Sequence, residues 1–135
     1  MIRALQEEDI DGLISRMSSR EIDAVVRFGI APKAALQRAL GPYSFVGTVD
    51  AQPVCAFGLL FPIRLGAFPE MWLLTTVDLR AHRIEFLREA RVWVRAVRAE
   101  FGPIEAFCQV PAQRLLRWLG FAPIHSANGL TRMRI

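Results

Sequence analysis

The sequence predicts a single α/β or α+β domain, and three observations carry that prediction. The chain is 135 residues long, enough to bury a core without disulfide or metal staples. It is 53% hydrophobic and 10% aromatic, which excludes disorder. Apolar runs of strand character are interleaved with amphipathic helical stretches, with no linker, repeat or low-complexity segment between them. One domain over 1–135 is therefore expected.

The elements follow in order. IRAL (2–5) reads as a first strand. A helix near Glu7–Met17 carries Glu7 and Glu8 in its first turn, where the helix dipole favours negative charge. Ser18 or Ser19 caps an expected second helix, REIDAVVRF (20–28), and Pro32 opens a third, PKAALQRAL (32–40). YSFVGTV (43–49), the turn signal DAQP and VCAFGLLF (54–61) make a hairpin, and MWLLTTV (71–77) is the next strand. Trp72, Leu73 and Leu74 are expected in its core. Asp78 is expected to cap the longest helix, Arg80–Phe101. GPIEAFCQV gives a strand, PAQRLLRWL a short helix, and FAPI with LTRMRI two closing strands around SANG.

Charge and cysteines narrow the chemistry. The net charge is +4, with one lysine, Lys33, against sixteen arginines. Such a bias reads either as an arginine-rich genome or as a surface that meets carboxylates or phosphates, where the guanidinium fork outperforms an ammonium. On the long helix Phe86, Leu87, Ala90, Trp93, Val94, Val97 and Phe101 share one broad apolar face. Arg88, Arg91, Arg95 and Arg98 line one flank of it, and Glu85, Glu89 and Glu100 the other. The arginine flank is either a solvated surface or a dock for an acidic partner. Cys55 and Cys108 are expected as two separate buried thiols. His82 and His125 lack partner spacing and are expected at the surface or in caps. No metal spacing, phosphate loop, zincin motif or nucleophile elbow is present. No apolar run approaches the roughly 20 residues of a membrane span, and the acidic N-terminus is no signal peptide, so a soluble intracellular protein is expected.

QVPAQRLLRWLGFAPI (109–124) resembles the closing motif of the GNAT (GCN5-related N-acetyltransferase) superfamily, a short helix running into Leu-Gly-Phe and the next strand. The element order is similar throughout. The resemblance implies an α+β fold with a mixed, mostly antiparallel central sheet and helices on both faces. Within that superfamily, Trp72–Thr76, Phe86–Arg88 and Trp118–Phe121 resemble small GNAT-like proteins of short-tailed phages, the internal virion protein A family. That resemblance implies action in the virion or in the host cytoplasm during infection, with other phage virion or assembly proteins as partners and no membrane.

The superfamily's chemistry is then a question of three parts. Its diphosphate cradle, Arg/Gln-x-x-Gly-x-Gly/Ala, would fall on VDLRAHRIE, where Arg80 and Arg83 offer charge but no glycine admits a phosphate to the backbone. Its general acid, a tyrosine four residues before the glycine of Leu-Gly-Phe, would fall on Leu116, which donates nothing; the one tyrosine, Tyr43, lies elsewhere. Its general base, often a glutamate on the central strands, has only Glu70 as candidate, at the loop edge where acids are usually solvated. The leading expectation is therefore a non-enzymatic pseudoenzyme acting by protein contact, without catalytic residues or cofactor, its partner surface Arg88, Arg91, Arg95 and Arg98 with Arg114 and Arg117. The alternative is an acyl-CoA-dependent N-acetyltransferase with a divergent loop, binding acetyl-CoA around Leu74, Thr75, Thr76, Arg80, Arg83 and Ile84. Nucleic acid is disfavoured, because the acidic flank shares the helix and aromatics do not alternate with arginines on a strand.

Overall fold

A computed structural model describes residues 1–19, 22, 31–62, 65–108 and 110–135, the side chains of 110–112 excepted. Among these residues there are seven strands and four α-helices. They are β1 (Ile2–Ala4), α1 (Glu7–Arg16), α2 (Pro32–Ala39), β2 (Ser44–Val49), β3 (Gln52–Leu60) and β4 (Glu70–Thr75), then α3 (Arg83–Phe101), β5 (Glu105–Cys108), α4 (Val110–Leu119), β6 (Ala122–Ala127) and β7 (Leu130–Arg134). The strands follow the order β1-β2-β3-β4-β5-β7-β6, and β4 and β5 are parallel within a ladder otherwise antiparallel where its pairings are described. The expected α+β class and mixed sheet are therefore present. The helix expected over 20–28 lies almost wholly outside the described residues.

The chain forms two compact units, Met1–Gly58 with Leu73–Phe86, and Leu59–Trp72 with Leu87–Ile135. In the first, the β2–β3 hairpin turns on Asp50 and Ala51, both left-handed (φ 49° and 65°), as a two-residue primed turn demands. Ile10, Leu13, Leu36, Val46 and Cys55 are almost fully buried here, and Phe57 packs edge-on to Phe86 with centroids 6.3 Å apart. α1 is fixed at its start by Asp9, whose carboxylate takes both Arg3 Nη1 and Nη2 at 2.8 Å and the Gln6 amide at 2.9 Å. Those donors hold the Asp9 carboxyl below its ordinary range.

In the second unit α4 ends in a Schellman pair: Phe121 N–H donates to the Leu116 carbonyl (2.9 Å) and Gly120 N–H to that of Arg117 (3.0 Å). Gly120 sits at φ 108°, and a Cβ there would come within 2.8 Å of Ile135 Cδ1. The glycine of Leu-Gly-Phe thus turns the chain, and Phe121 is delivered to the core at 2% exposure. The β6–β7 hairpin turns on Asn128 and Gly129, both with positive φ.

Two expectations shift. The long helix begins at Arg83 rather than Arg80, because Val77–His82 winds as a 3-10 helix leading into it. In β4 the buried residue is Met71, at the last pair of the β5 ladder, whereas Trp72, Leu73 and Leu74 are half-buried. Of the expected apolar face of α3, Phe86, Ala90, Val94 and Val97 are buried and Leu87, Trp93 and Phe101 half-buried. Both cysteines are buried, and neither is in a disulfide.

Truncating Phe121 to Ala should cost about 3–5 kcal/mol of unfolding free energy in urea titration, the scale for emptying a large aromatic from a core. Ala51→Gly should stabilise by about 1 kcal/mol in the same measurement, since a left-handed alanine costs that much more than glycine.

Candidate functional site

The strand-to-helix junction of the first unit is built around Thr76. Its side chain is buried, its Oγ1 donates to the Val54 carbonyl at 2.7 Å, and its own amide reaches the same carbonyl at 3.1 Å. Thr76 Oγ1 also accepts from the Asp78 amide (3.3 Å), and the Thr76 carbonyl takes the Leu79 amide (3.3 Å). Thr76 is therefore the cap that Asp78 was expected to be. A hydroxyl on the last extended residue reaches the amide two places on, whereas Asp78 is already inside the first turn. Asp78 instead binds Arg16 of α1 through Nε and Nη2, the latter at 2.6 Å, which holds its carboxyl below the ordinary range. Nothing in the local sequence signals that pair, 62 positions apart.

The residues considered for acetyl-CoA divide accordingly. Leu74 and Thr75 are half-buried on β4, and Thr76 has its hydroxyl committed on both sides. Arg80, Arg83 and Ile84 are exposed, and neither arginine has an ion-pair partner among the described residues. His82 is half-buried and His125 exposed.

A second constellation lies in the other unit. β4 and β5 pair in parallel at Glu70↔Glu105 and Met71↔Ala106, and β5 pairs with β7 at Glu105↔Arg134. Glu105 is shared by two arginines, Arg134 Nη2 at 2.7 Å and Arg132 Nε at 3.7 Å. Arg134 also lies 4.4 Å above the Phe68 ring. Glu70 has no such cation among the described residues. Burial first, and the Glu105 carboxylate second, push its carboxyl above the ordinary range. The expectation of a solvated loop-edge acid is corrected: Glu70 is the first residue of β4 and half-buried. Reading the sequence missed Glu105, Arg132 and Arg134, because their approach depends on strand order, which no local spacing encodes.

The six candidate partner arginines all lie in this second unit and all are exposed: Arg88, Arg91, Arg95 and Arg98 on α3, Arg114 and Arg117 on α4. The two sets are brought together by Arg91, whose guanidinium carbon sits 4.9 Å from the centroid of Trp118 on α4. Leu116, at the place of the superfamily's acid, is a core residue at 5% exposure. Burial raises the Cys108 thiol above its ordinary value, which keeps it protonated and inert. Among the described residues no group of three or more His, Cys, Asp or Glu is placed to hold a metal, and no helix is long and apolar enough to cross a membrane.

No protein-family model and no curated sequence matches the chain. Solved structures do. A GNAT-family acetyltransferase from Bacillus anthracis superposes with a TM-score of 0.70 at 12% identity, over 99% of this chain and 92% of that one. A ribosomal-protein-alanine N-acetyltransferase from Brucella melitensis gives 0.68 at 17%, over 100% and 98%. The PaiA N-acetyltransferase of Thermoplasma acidophilum, in complex with coenzyme A, gives 0.69 at 13%, over 99% and 96%. The chain has the GNAT fold.

Against coenzyme A the junction fits in part. A glycine-lined amide cradle is absent: the stretch is a 3-10 helix that spends its amides on i→i+3 bonds, and Thr76 takes those of Asp78 and Leu79. The exposed guanidinium groups of Arg80 and Arg83 remain as the cations able to hold a diphosphate there.

The raised Glu70 carboxyl has a consequence for stability. Between the ordinary carboxyl pKa and its raised folded value, the folded chain holds a proton that the unfolded chain has released. Stability therefore falls as pH rises through that window. Glu70→Gln should melt above the native protein at pH 7, and the difference should vanish near pH 4; calorimetric melting at both pH values checks this.

Proposed function

We propose that the chain is an acyl-CoA-dependent N-acyltransferase whose general base is Glu70. The observation that carries the reading is the environment of that carboxylate, half-buried, set beside Glu105 and raised in pKa, on a strand of a GNAT fold whose structural neighbours are acetyltransferases. A base poised above the ordinary carboxylate range takes a proton more readily at neutral pH. Glu70 would accept one proton of an incoming ammonium, the freed amine nitrogen would bond to the acyl carbon and release its second proton to water, and the carbon–sulfur bond would break with the electron pair leaving on sulfur. Coenzyme A supplies the activated acyl group as a thioester. Arg80 and Arg83 would hold its phosphates through side-chain charge in place of a backbone cradle. With Leu116 where the superfamily keeps its acid, the sulfur would leave as thiolate and take its proton from water, so turnover should be slow.

A second reading is favoured by that same Leu116 and by the committed amides of the junction: a non-enzymatic protein of the phage internal-virion kind, working by contact in particle assembly. Titration calorimetry with acetyl-CoA at moderate salt separates the two. Micromolar binding supports the acyltransferase; no heat at millimolar ligand leaves the contact reading.

If binding is found, Arg80→Gln with Arg83→Gln should weaken it about 10- to 100-fold, the value of charge-assisted hydrogen bonds to phosphate. Glu70→Gln should lower thiol release with primary-amine acceptors by about 10²- to 10⁴-fold while leaving acetyl-CoA affinity unchanged. Equal rates for native and variant protein would remove Glu70 from the chemistry.

A further inference from the structure

Arginines 88, 91, 95 and 98 recur at steps of three, four and three residues, so they fall within an arc of about 80° on α3. Along the axis the steps are about 4.5, 6.0 and 4.5 Å, a mean near 5 Å. All four are exposed, and none has an ion-pair partner among the described residues. Such a row repels itself, and an opposing row of acids would relieve that repulsion.

Trp118 extends the row sideways. It is 42% exposed, lies under Arg91, and follows Arg114 by four positions and Arg117 by one on α4. Val92, 68% exposed, lies about 40° round the helix from Arg88. The second unit therefore offers the arginine row of α3 with the Trp118 indole against it, and arginine and tryptophan are residue types enriched among the hot spots of protein interfaces.

We infer that this face docks an acidic α-helix of a protein partner, laid along α3 with its carboxylates every three or four residues. The spacing decides for a helix: carboxylates on one helical stripe step by the same mean of about 5 Å, so successive arginines meet successive acids in register. Duplex DNA presents a charge every 1.7 Å or so of its axis, a denser lattice than this single row. Glu85, Glu89 and Glu100 on the opposite flank of α3 disfavour a polyanion that wraps the helix, and leave a narrow helix seated on the arginine side unopposed. Trp118 and Val92 give apolar contact that a phosphate backbone does not use. The inference stands whether or not the chain turns over acyl-CoA.

The test uses the full chain and three labelled probes at 150 mM salt, read by fluorescence anisotropy. The first is a 21-residue helical peptide with glutamates at alternating three- and four-residue spacing. The second has the same composition with the glutamates distributed round the helix. The third is a 20-nucleotide single strand. The patterned peptide should bind at least tenfold more tightly than either other probe. The variant R88Q/R91Q/R95Q/R98Q should lose at least tenfold of that affinity with its melting temperature undiminished. Equal affinity for the distributed peptide, tighter binding of the oligonucleotide, no binding of the patterned peptide, or unchanged binding by the folded variant would each overturn the inference.

Discussion

The Thr76 hydroxyl is the interaction on which the first unit depends. It donates to the Val54 carbonyl of β3 and accepts from the Asp78 amide, so a single oxygen both anchors the exit of β4 and caps the helix that follows. The backbone of the same residue bridges antiparallel to Met17 at the end of α1. Arg16, one position earlier, clamps Asp78 within the capped turn. Strand, helix start and α1 thus converge on one joint. A phosphate-binding junction leaves its first amides open and removes side chains from around them. This one closes its amides with a hydroxyl and its own carbonyls, and the nearest charges are exposed arginines rather than backbone donors.

The second unit is organised by an imbalance of charge. Glu70 and Glu105 stand opposite each other across the β4–β5 ladder, an arrangement that costs stability between like charges. Glu105 is compensated by Arg132 and Arg134, and the Phe68 ring supports the latter. Glu70 is not, among the described residues. A neutral residue at position 70 would fold with less strain, so the carboxylate is a burden that a purely structural strand has no reason to carry. Stability given up at one residue is a common mark of a working group.

Much of the fold was legible because it rests on local chemistry. Pro32 opens α2, Gly120 turns the end of α4, and Asn128–Gly129 makes a hairpin, each signalled within a few residues. The arginine flank was legible for the same reason, since helical periodicity places 88, 91, 95 and 98 together without knowledge of any neighbour. The cap was expected at Asp78 because aspartate is a favoured N-cap residue; threonine is another, and the reach of the Thr76 hydroxyl to Val54 and Asp78, which places the cap two positions earlier, depends on the neighbouring strand. Glu70 was misread because its burial comes from residues far along the chain. Arg134 lies 29 positions from Glu105, and Trp118 lies 27 from Arg91, so both pairings follow from how strands and helices are ordered and not from any motif.

The parts of the acyl-transfer machinery differ in how much the reaction needs them. An alkylamine with a pKa near 10.4 is almost wholly protonated at pH 7, and freeing its lone pair costs about 4.6 kcal/mol. A departing thiolate with a pKa near 8.5 lies only about 2 kcal/mol from its protonated form at the same pH, and water can supply that proton. The backbone cradle contributes affinity, which surface arginines replace at lower precision. A GNAT fold stripped of parts one by one would therefore lose the acid and the cradle at less cost than the base. Leu116 stands in the place of the first, Thr76 has closed the second, and in the proposed reading the third would be the carboxylate at the start of β4 that has no compensating cation among the described residues.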